Sequence, residues 1–286
     1  MKKNNTGDKI ITIIGYLIAI LWLIPLVWMV GTAFSEPSFK MSLFPKTAFT
    51  LDNIKYVWNA VPFKTYYINT ILIVIVTFTI QVFTSTMAAY ALAVMDFKGV
   101  AIVFVIIFMQ IIVPNDVLIT PNFMVLRELG MLNTKLGIML PFLGSAFGIF
   151  LLRQHFKSIP KSLAEAARID GASQFQIMTK IYLPLSVSAL TTVSLFYAVS
   201  RWNGYFWTMV LLIDDKKAPL QVFLKKLIVE KNMAGEASQM ITAQSLTSPQ
   251  TIIYAVIALS LIPIFIVYPF IQKFFRKGVT LGAVKE

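Results

Sequence analysis

Glu165-Ala166-Ala167-Arg168-Ile169-Asp170-Gly171 opens a polar island that continues through residues 172–180 and closes on Ile181-Tyr182-Leu183-Pro184. It is the one long polar island in the second half of the chain, and apolar segments flank it on both sides. Residues 162–169 have the makings of a short helix with two adjacent alanines, a small-residue face on which another surface can lie close. Gly171 supplies a turn that a residue with a Cβ would resist. Ser173 is placed to cap a second short helix. Pro184 suits the first turn of the segment that follows, where its missing N–H costs nothing.

The surrounding composition belongs to a bilayer. Of 286 residues, 57% are hydrophobic and 13% charged, with a mean hydropathy of +0.76; a soluble domain carries about a quarter charged residues. The formal net charge is +12. Its basic residues are scattered between apolar segments and form no patch with interleaved aromatics, which argues against a nucleic-acid surface and for a positive-inside bias. There is no cysteine, hence neither a disulfide frame nor a thiolate metal site. His155, the single histidine, cannot assemble a multi-histidine site and reads as a solvated residue at a membrane edge.

Crossing a bilayer takes about 20 apolar residues. Six stretches are expected to do so, at about 10–34, 66–94, 100–119, 136–152, 184–213 and 251–271. The first is too long for the apolar region of a signal peptide, roughly 7–15 residues, and Pro25 is expected to bend it. Residues 52–58 suggest a short interfacial helix, and Asp96-Phe97-Lys98-Gly99 a tight turn. Pro114-Asn115-Asp116 and Pro121-Asn122 are expected to break the third span, placing irregular backbone near an outer mouth, where it must face protein or water. Gly144 and Gly148 in the fourth span have the four-residue interval that allows close helix contact. Arg201-Trp202-Asn203-Gly204 interrupts the fifth, and Asn203, 19 residues past Pro184, lies roughly 28 Å along the axis. Pro263 and Pro269 bend the sixth.

These stretches are expected to make an all-α membrane protein, one transmembrane domain over 1–286 with both termini cytoplasmic. Residues 153–183 form a cytoplasmic loop, 214–250 an extracellular loop with an amphipathic piece at 220–228, and 272–286 a cytoplasmic tail. Lysines and arginines close to the span ends favour that orientation.

The chain holds no G-x-x-x-x-G-K-[ST] phosphate loop and no carboxylate pair or Ser/His/Asp set in a plausible pocket. No catalytic or metal-ligating residue is assigned, and driven transport would draw its energy from a partner. Polar residues at membrane depth are functional candidates by default: Gln81, Gln110, Asn115, Asp116, Asn122, Arg201, Trp202 and Asn203 are candidates for lining a solute path. Arg201 is the sharpest of them, since an arginine inside a span should face water, an acid or a phosphate.

Glu165, Ala166, Ala167, Gly171, Ile181, Leu183 and Pro184 match every fixed position of the cytoplasmic signature of permease subunits in binding-protein-dependent ATP-binding-cassette (ABC) importers, which this chain therefore resembles. The resemblance extends to carbohydrate-type importers, above all the maltose-type second permease with six spans. It is carried by Ile159-Pro160, Phe147-Gly148-Ile149-Phe150-Leu151-Leu152-Arg153-Gln154, Leu129-Gly130-Met131-Leu132-Asn133-Thr134, Trp202-Asn203 and the tail Gly282-Ala283-Val284-Lys285; Glu286 departs from the usual terminal glycine. The resemblance implies a type I ABC importer permease fold in a bacterial inner membrane and import of a sugar or oligosaccharide. Its implied partners are a second permease, two ATPase subunits carrying ATP and Mg, and an extracellular binding protein that meets the 214–250 loop. Glu165, Ala166, Ala167, Asp170, Gly171, Ile181, Leu183 and Pro184 would then couple to the ATPase, with residues 282–285 reaching its dimer interface. Two alternatives stay open, a phosphate-ester cargo such as glycerol phosphate and an ATP-independent secondary transporter.

Overall fold

A computed structural model describes residues 6–36, 49–229 and 249–282. Every regular element among them is helical, and the only extended pairing is an isolated antiparallel bridge between Ser35 and Phe49. The chain divides into two units, residues 1–63 with 224–265 and residues 64–223 with 266–286.

In the first unit, α1 (Thr6–Ala33) is predominantly apolar from Ile10 onward, and its side chains from Lys9 to Val27 are exposed. A helix that shows Ile11, Leu21 and Trp22 to its surroundings needs lipid or another chain to cover them. The end of α1 is tied down by α2 (Asp52–Ala60), the short helix expected at 52–58. Asn53 Nδ2 donates to the carbonyls of Ala33 (3.2 Å) and Ser35 (2.8 Å). Trp28 meets Tyr254 edge-to-face at 5.4 Å; Tyr254 belongs to the long helix Pro249–Gly282 that ends the chain.

The second unit is built around α3 (Phe63–Val94). Its buried positions Ile73, Thr77, Gln81, Ser85 and Ala89 recur every four residues, one stripe of a helix. Near its start, Asn69 Nδ2 donates to the carbonyls of Lys216 (2.9 Å) and Ala218 (3.0 Å), and Thr70 Oγ1 accepts from Leu220 N (2.9 Å). Gly99, at φ +88°, makes the expected tight turn into α4 (Val100–Met109). Then come α5 (Ile119–Glu128), α6 (Lys135–Met139), α7 (Ala146–Ser158), α8 (Lys161–Ile169), α9 (Gln174–Ile177), α10 (Leu183–Leu185), α11 (Val187–Trp202), α12 (Phe206–Leu211) and α13 (Leu220–Val229), the last on the predicted amphipathic piece. The terminal helix Pro249–Gly282 is α14.

Two expectations need correcting. Pro121-Asn122 does not break the chain: α5 starts at Ile119, so Pro121 falls in the first turn, where N–H groups need no partner within the helix. The stretch 136–152 is not one rod. Residues 143–145 separate α6 and its following turn from α7, with a 42° bend, and α7 runs on to Ser158. Ser145 caps α7 by accepting from Gly148 N (3.3 Å), and the freed Leu143 carbonyl takes the Thr84 hydroxyl. The helix of the sixth stretch runs on to Gly282.

By length and composition, Lys9–Ala33 and Phe63–Val94 are long and apolar enough to cross a membrane. Two bent pairs, Lys135–Phe142 with Ala146–Ser158 and Gln174–Leu185 with Val187–Trp202, would each add one if counted as a single span. Val100–Met109 and Gln250–Ile266 are shorter apolar helices.

Candidate functional site

The Glu165 stretch folds as an elbow of two short helices. Ile159 is buried and Pro160 leads into α8. On α8, Ala164 is buried and Ala167 packs partly against the core, while Glu165, Ala166 and Ile169 are exposed. The two adjacent alanines therefore do different jobs. Ala167, with Ala164 three residues before it, lets the helix lie close on the bundle, and Ala166 belongs to the outer face.

Gly171 then turns the chain at φ +80°. Ala172 N bonds Ala167 O (2.9 Å) and Gly171 N bonds Arg168 O (3.1 Å), the paired bonds of a Schellman ending, which needs a left-handed residue where glycine stands. Ser173 caps α9 as expected, with Gln176 completing the reciprocal pair: Ser173 Oγ accepts from Gln176 N (3.3 Å) and Gln176 Oε1 from Ser173 N (2.8 Å). Residues Met178–Tyr182 widen into a π-turn, in which Leu183 N reaches back five residues to Met178 O. Pro184, with no N–H to continue a regular ladder, follows at once. At Ser186 the helix bends by 85° into α11.

The elbow is fixed to the bundle. Tyr182 meets Tyr90 of α3 (5.4 Å) and Phe156 of α7 (5.7 Å), all edge-to-face, and Tyr90 meets Phe156 at 6.5 Å. Such pairs add about 0.5–1.5 kcal/mol each beyond area burial. Tyr90 Oη also donates to Gln174 Oε1 (2.8 Å). Two arginines cap the C-terminal carbonyls of α3: Arg168 Nη2 donates to Val94 O and Arg153 Nε to Leu92 O, each at 3.2 Å. The elbow is thus tied to α3 and α7 through packed rings and charged hydrogen bonds.

The outer face of the elbow carries no such partners. Ile169 is 87% exposed and Phe175 63%, beside the exposed carboxylates of Glu165 and Asp170. Of the remaining signature residues, Ile181 and Leu183 pack partly against the core and Pro184 is exposed. His155 Nε2 lies 3.4 Å from Leu185 O at the start of the bend. No group of three or more potential metal ligands occurs among the described residues.

The eight path candidates fall on three separate stretches. Gln81, on α3, is buried with its Oε1 unbonded. Gln110, Asn115 and Asp116 are exposed around the break after α4, while Asn122 Nδ2 donates within α5 to Leu118 O (2.8 Å). Arg201, Trp202 and Asn203 end α11. Arg201 stands with its guanidinium 3.5 Å over the centroid of the Phe142 ring, the Trp202 indole N–H is buried without a partner, and Asn203 is exposed. In the tail, Gly282 ends α14, and Ala283, Val284 and Lys285 lie outside the described residues.

Sequence reasoning missed the contact that holds α11 to α3, a 2.8 Å hydrogen bond between Ser85 Oγ and Tyr197 Oη. Gly148 signalled it, because a Cβ there would overlap the Tyr197 hydroxyl; Gly144 faces open space.

Described elements that are all helical, two of them apolar and long enough to span a bilayer, outline a membrane protein. It belongs to the family of binding-protein-dependent transport system inner membrane components, which it matches over residues 2–281. It is 36% identical to a Bacillus subtilis polygalacturonan/rhamnogalacturonan transport system permease, covering 99% of each chain. A trehalose/maltose transport system permease of Thermococcus litoralis is 29% identical, again over 99% of each chain. Among solved structures, a chain of a bacterial ABC transporter involved in importing the acidic polysaccharide alginate superposes with a TM-score of 0.84. Its identity is 34%, covering 96% of this chain and 100% of that one. The fold is therefore that of ABC importer permeases.

Proposed function

We propose that this chain is one of two transmembrane subunits of a bacterial ABC importer for a sugar or oligosaccharide, and that the elbow receives the force of ATP hydrolysis carried out elsewhere. The observation that carries this reading is the elbow's two-sidedness. Its inner side is locked to α3 and α7 by Tyr90, Phe156, Tyr182 and Arg168, and its outer side offers Ile169 and Phe175 with the exposed Glu165. Burying each of those two apolar side chains contributes about 1.5–3 kcal/mol, enough to seat a short helix pair in a groove of another protein. The names of the relatives support the carbohydrate cargo.

In this reading the partners are a second permease, two ATPase subunits that hold ATP and Mg, an extracellular binding protein and the lipid bilayer. Six spans with both termini inside place residues 153–183 in the cytoplasm and 214–250 outside. The apolar, exposed α1 meets lipid or the second permease. Closure of the two ATPases carries the elbow inward; α3 and α7 follow it, and the bundle passes from inward-open to outward-open. The nucleotide state biases a two-state equilibrium and requires no chemistry in this chain. Phosphate-ester import uses the same machinery and differs only in cargo.

The test is ATPase activity of the reconstituted importer, stimulated by its loaded binding protein. Ala166→Trp places a bulky ring on an exposed position of α8 without entering the core. Stimulation is expected to fall at least tenfold in Ala166→Trp and in Glu165→Ala, with the permease still folded. Full stimulation in both variants would overturn the reading.

A further inference from the structure

Among residues 64–223, α3 alone is long and apolar enough to cross a bilayer without a break. Its sequence from Phe63 to Val94 holds neither glycine nor proline, the residues at which helices most often kink. The other long stretches of this unit are interrupted. Residues 110–114 separate α4 from the turn before α5, residues 143–145 bend the next stretch by 42°, and Ser186 turns the last by 85°.

Both ends of α3 are fastened by side chains. At the C-terminal end the elbow holds it through the Tyr90 ring, and Arg153 and Arg168 close the carbonyls of Leu92 and Val94. At the N-terminal end the direction reverses, and α3 holds a loop. Asn69 Nδ2 spends both its hydrogens on the carbonyls of Lys216 and Ala218, and Thr70 Oγ1 accepts from Leu220 N while donating to Tyr66 O (2.7 Å). Tyr66 in turn stacks on Phe223 at 4.8 Å. Asn69 and Thr70 are only 3% and 1% exposed, so the loop cannot part from α3 without stranding buried polar groups. Asn69 and Leu92 are separated by roughly 35 Å along an axis that rises 1.5 Å per residue.

The loop is also stiffened from its other side. Asn133, left-handed at φ +58°, accepts at Oδ1 from Ile213 N (3.1 Å) and Asp214 N (2.9 Å). Lys217 Nζ donates to Asn133 O (3.0 Å) and pairs with Asp214 at 3.5 Å. A stiff loop, an unbroken helix and a packed elbow make one contiguous chain of contacts of the kind that can carry coupling between distant sites.

We propose that Asn69 and Thr70 are positioning residues that make the 214–220 segment follow α3, so that the nucleotide state met at the elbow is read out at this loop. By reciprocity, a partner that favours one position of the loop favours the matching position of the elbow. The proposal rests on the transport reading and adds to it the route between the two faces.

The experiment uses the full importer, with cysteine-free partner subunits, in lipid nanodiscs that leave both faces open to reagent. Lys216 has an exposed side chain and holds the loop through its backbone alone, so Lys216→Cys places a reporter thiol there. Its rate of maleimide labelling is compared without nucleotide and with the ATPase subunits trapped by ATP and vanadate. The two rates are expected to differ by at least about fivefold, the low end of couplings between sites. Asn69→Leu and Thr70→Val, each close to the original shape, are expected to remove most of that difference, and Thr70→Ser, which keeps the hydroxyl, to retain it. Equal rates without these changes overturn the proposal, as does a difference that survives both Asn69→Leu and Thr70→Val. Loss in Thr70→Ser as well as Thr70→Val also overturns it, because local packing would then be responsible and the hydroxyl would not. So does failure of the ATPase subunits to co-purify with both Asn69→Leu and Thr70→Val, which marks a role in folding. Co-purification of those subunits with the chain unaltered at Asn69 and Thr70 judges the transport reading separately, so either idea can fail alone.

Discussion

Arg153 and Arg201 both lie face-on to a phenylalanine, 3.7 Å from Phe104 and 3.5 Å from Phe142. Arg153 also donates to Leu92 O and so closes the end of α3, whereas Arg201 reaches only the hydroxyl of the residue before it. The same contrast separates their surroundings. Around the elbow, turns end in paired backbone bonds, the cap is reciprocal, and three rings interlock beneath. At the end of α11 the Trp202 N–H is unbonded and the helix stops at Asn203-Gly204. The elbow makes most of its hydrogen bonds internally, whereas the end of α11 leaves hydrogen-bonding capacity unused.

That comparison can be broken by substitution. The largest effect is expected for Tyr182→Ala, which empties a fully buried ring position between α3 and α7. It should cost about 3–5 kcal/mol, read as a large drop in the unfolding temperature of the solubilised protein. Next, Arg153→Ala should cost about 1.5–3 kcal/mol through its lost charged hydrogen bond, while Arg201→Ala stays within about 0.5 kcal/mol of wild type. Equal losses in the two arginine variants would remove the distinction between strut and reserve. A smaller loss than that of Arg153→Ala belongs to Gly171→Ala. The space around Gly171 is open, so only the left-handed backbone is penalised, by about 1–2 kcal/mol. A neutral result in thermal unfolding would mean that the elbow re-forms with a different turn.

Much of the elbow was legible because its signals are local. Gly171, followed two residues later by Ser173, specifies a left-handed turn and an N-cap within a handful of bonds. Gly99, α2 and α13 were legible for the same reason. What escaped depends on distant neighbours. The break at residues 143–145 is stabilised by Thr84, 59 residues away from Leu143 in sequence. Of two glycines at helical spacing, only Gly148 meets a partner, Tyr197, and the spacing alone could not choose between them. Pro121 misled because a proline breaks a helix or begins one according to where the first turn falls, and the extent of α5 decided that. Arg201 was flagged by its position in an apolar stretch, but its aromatic support came from Phe142, which carries no polar signal of its own.

The account rests on the elbow facing the cytoplasm and being covered there by an ATPase. Because the chain has no cysteine, Ile169→Cys creates a single thiol at a position of α8 that is 87% exposed. Its labelling by a membrane-impermeant maleimide should succeed in inside-out vesicles, fail in right-side-out vesicles, and fall at least tenfold when the ATPase subunits are bound. Labelling from the outer side, or labelling indifferent to the ATPase, would contradict it.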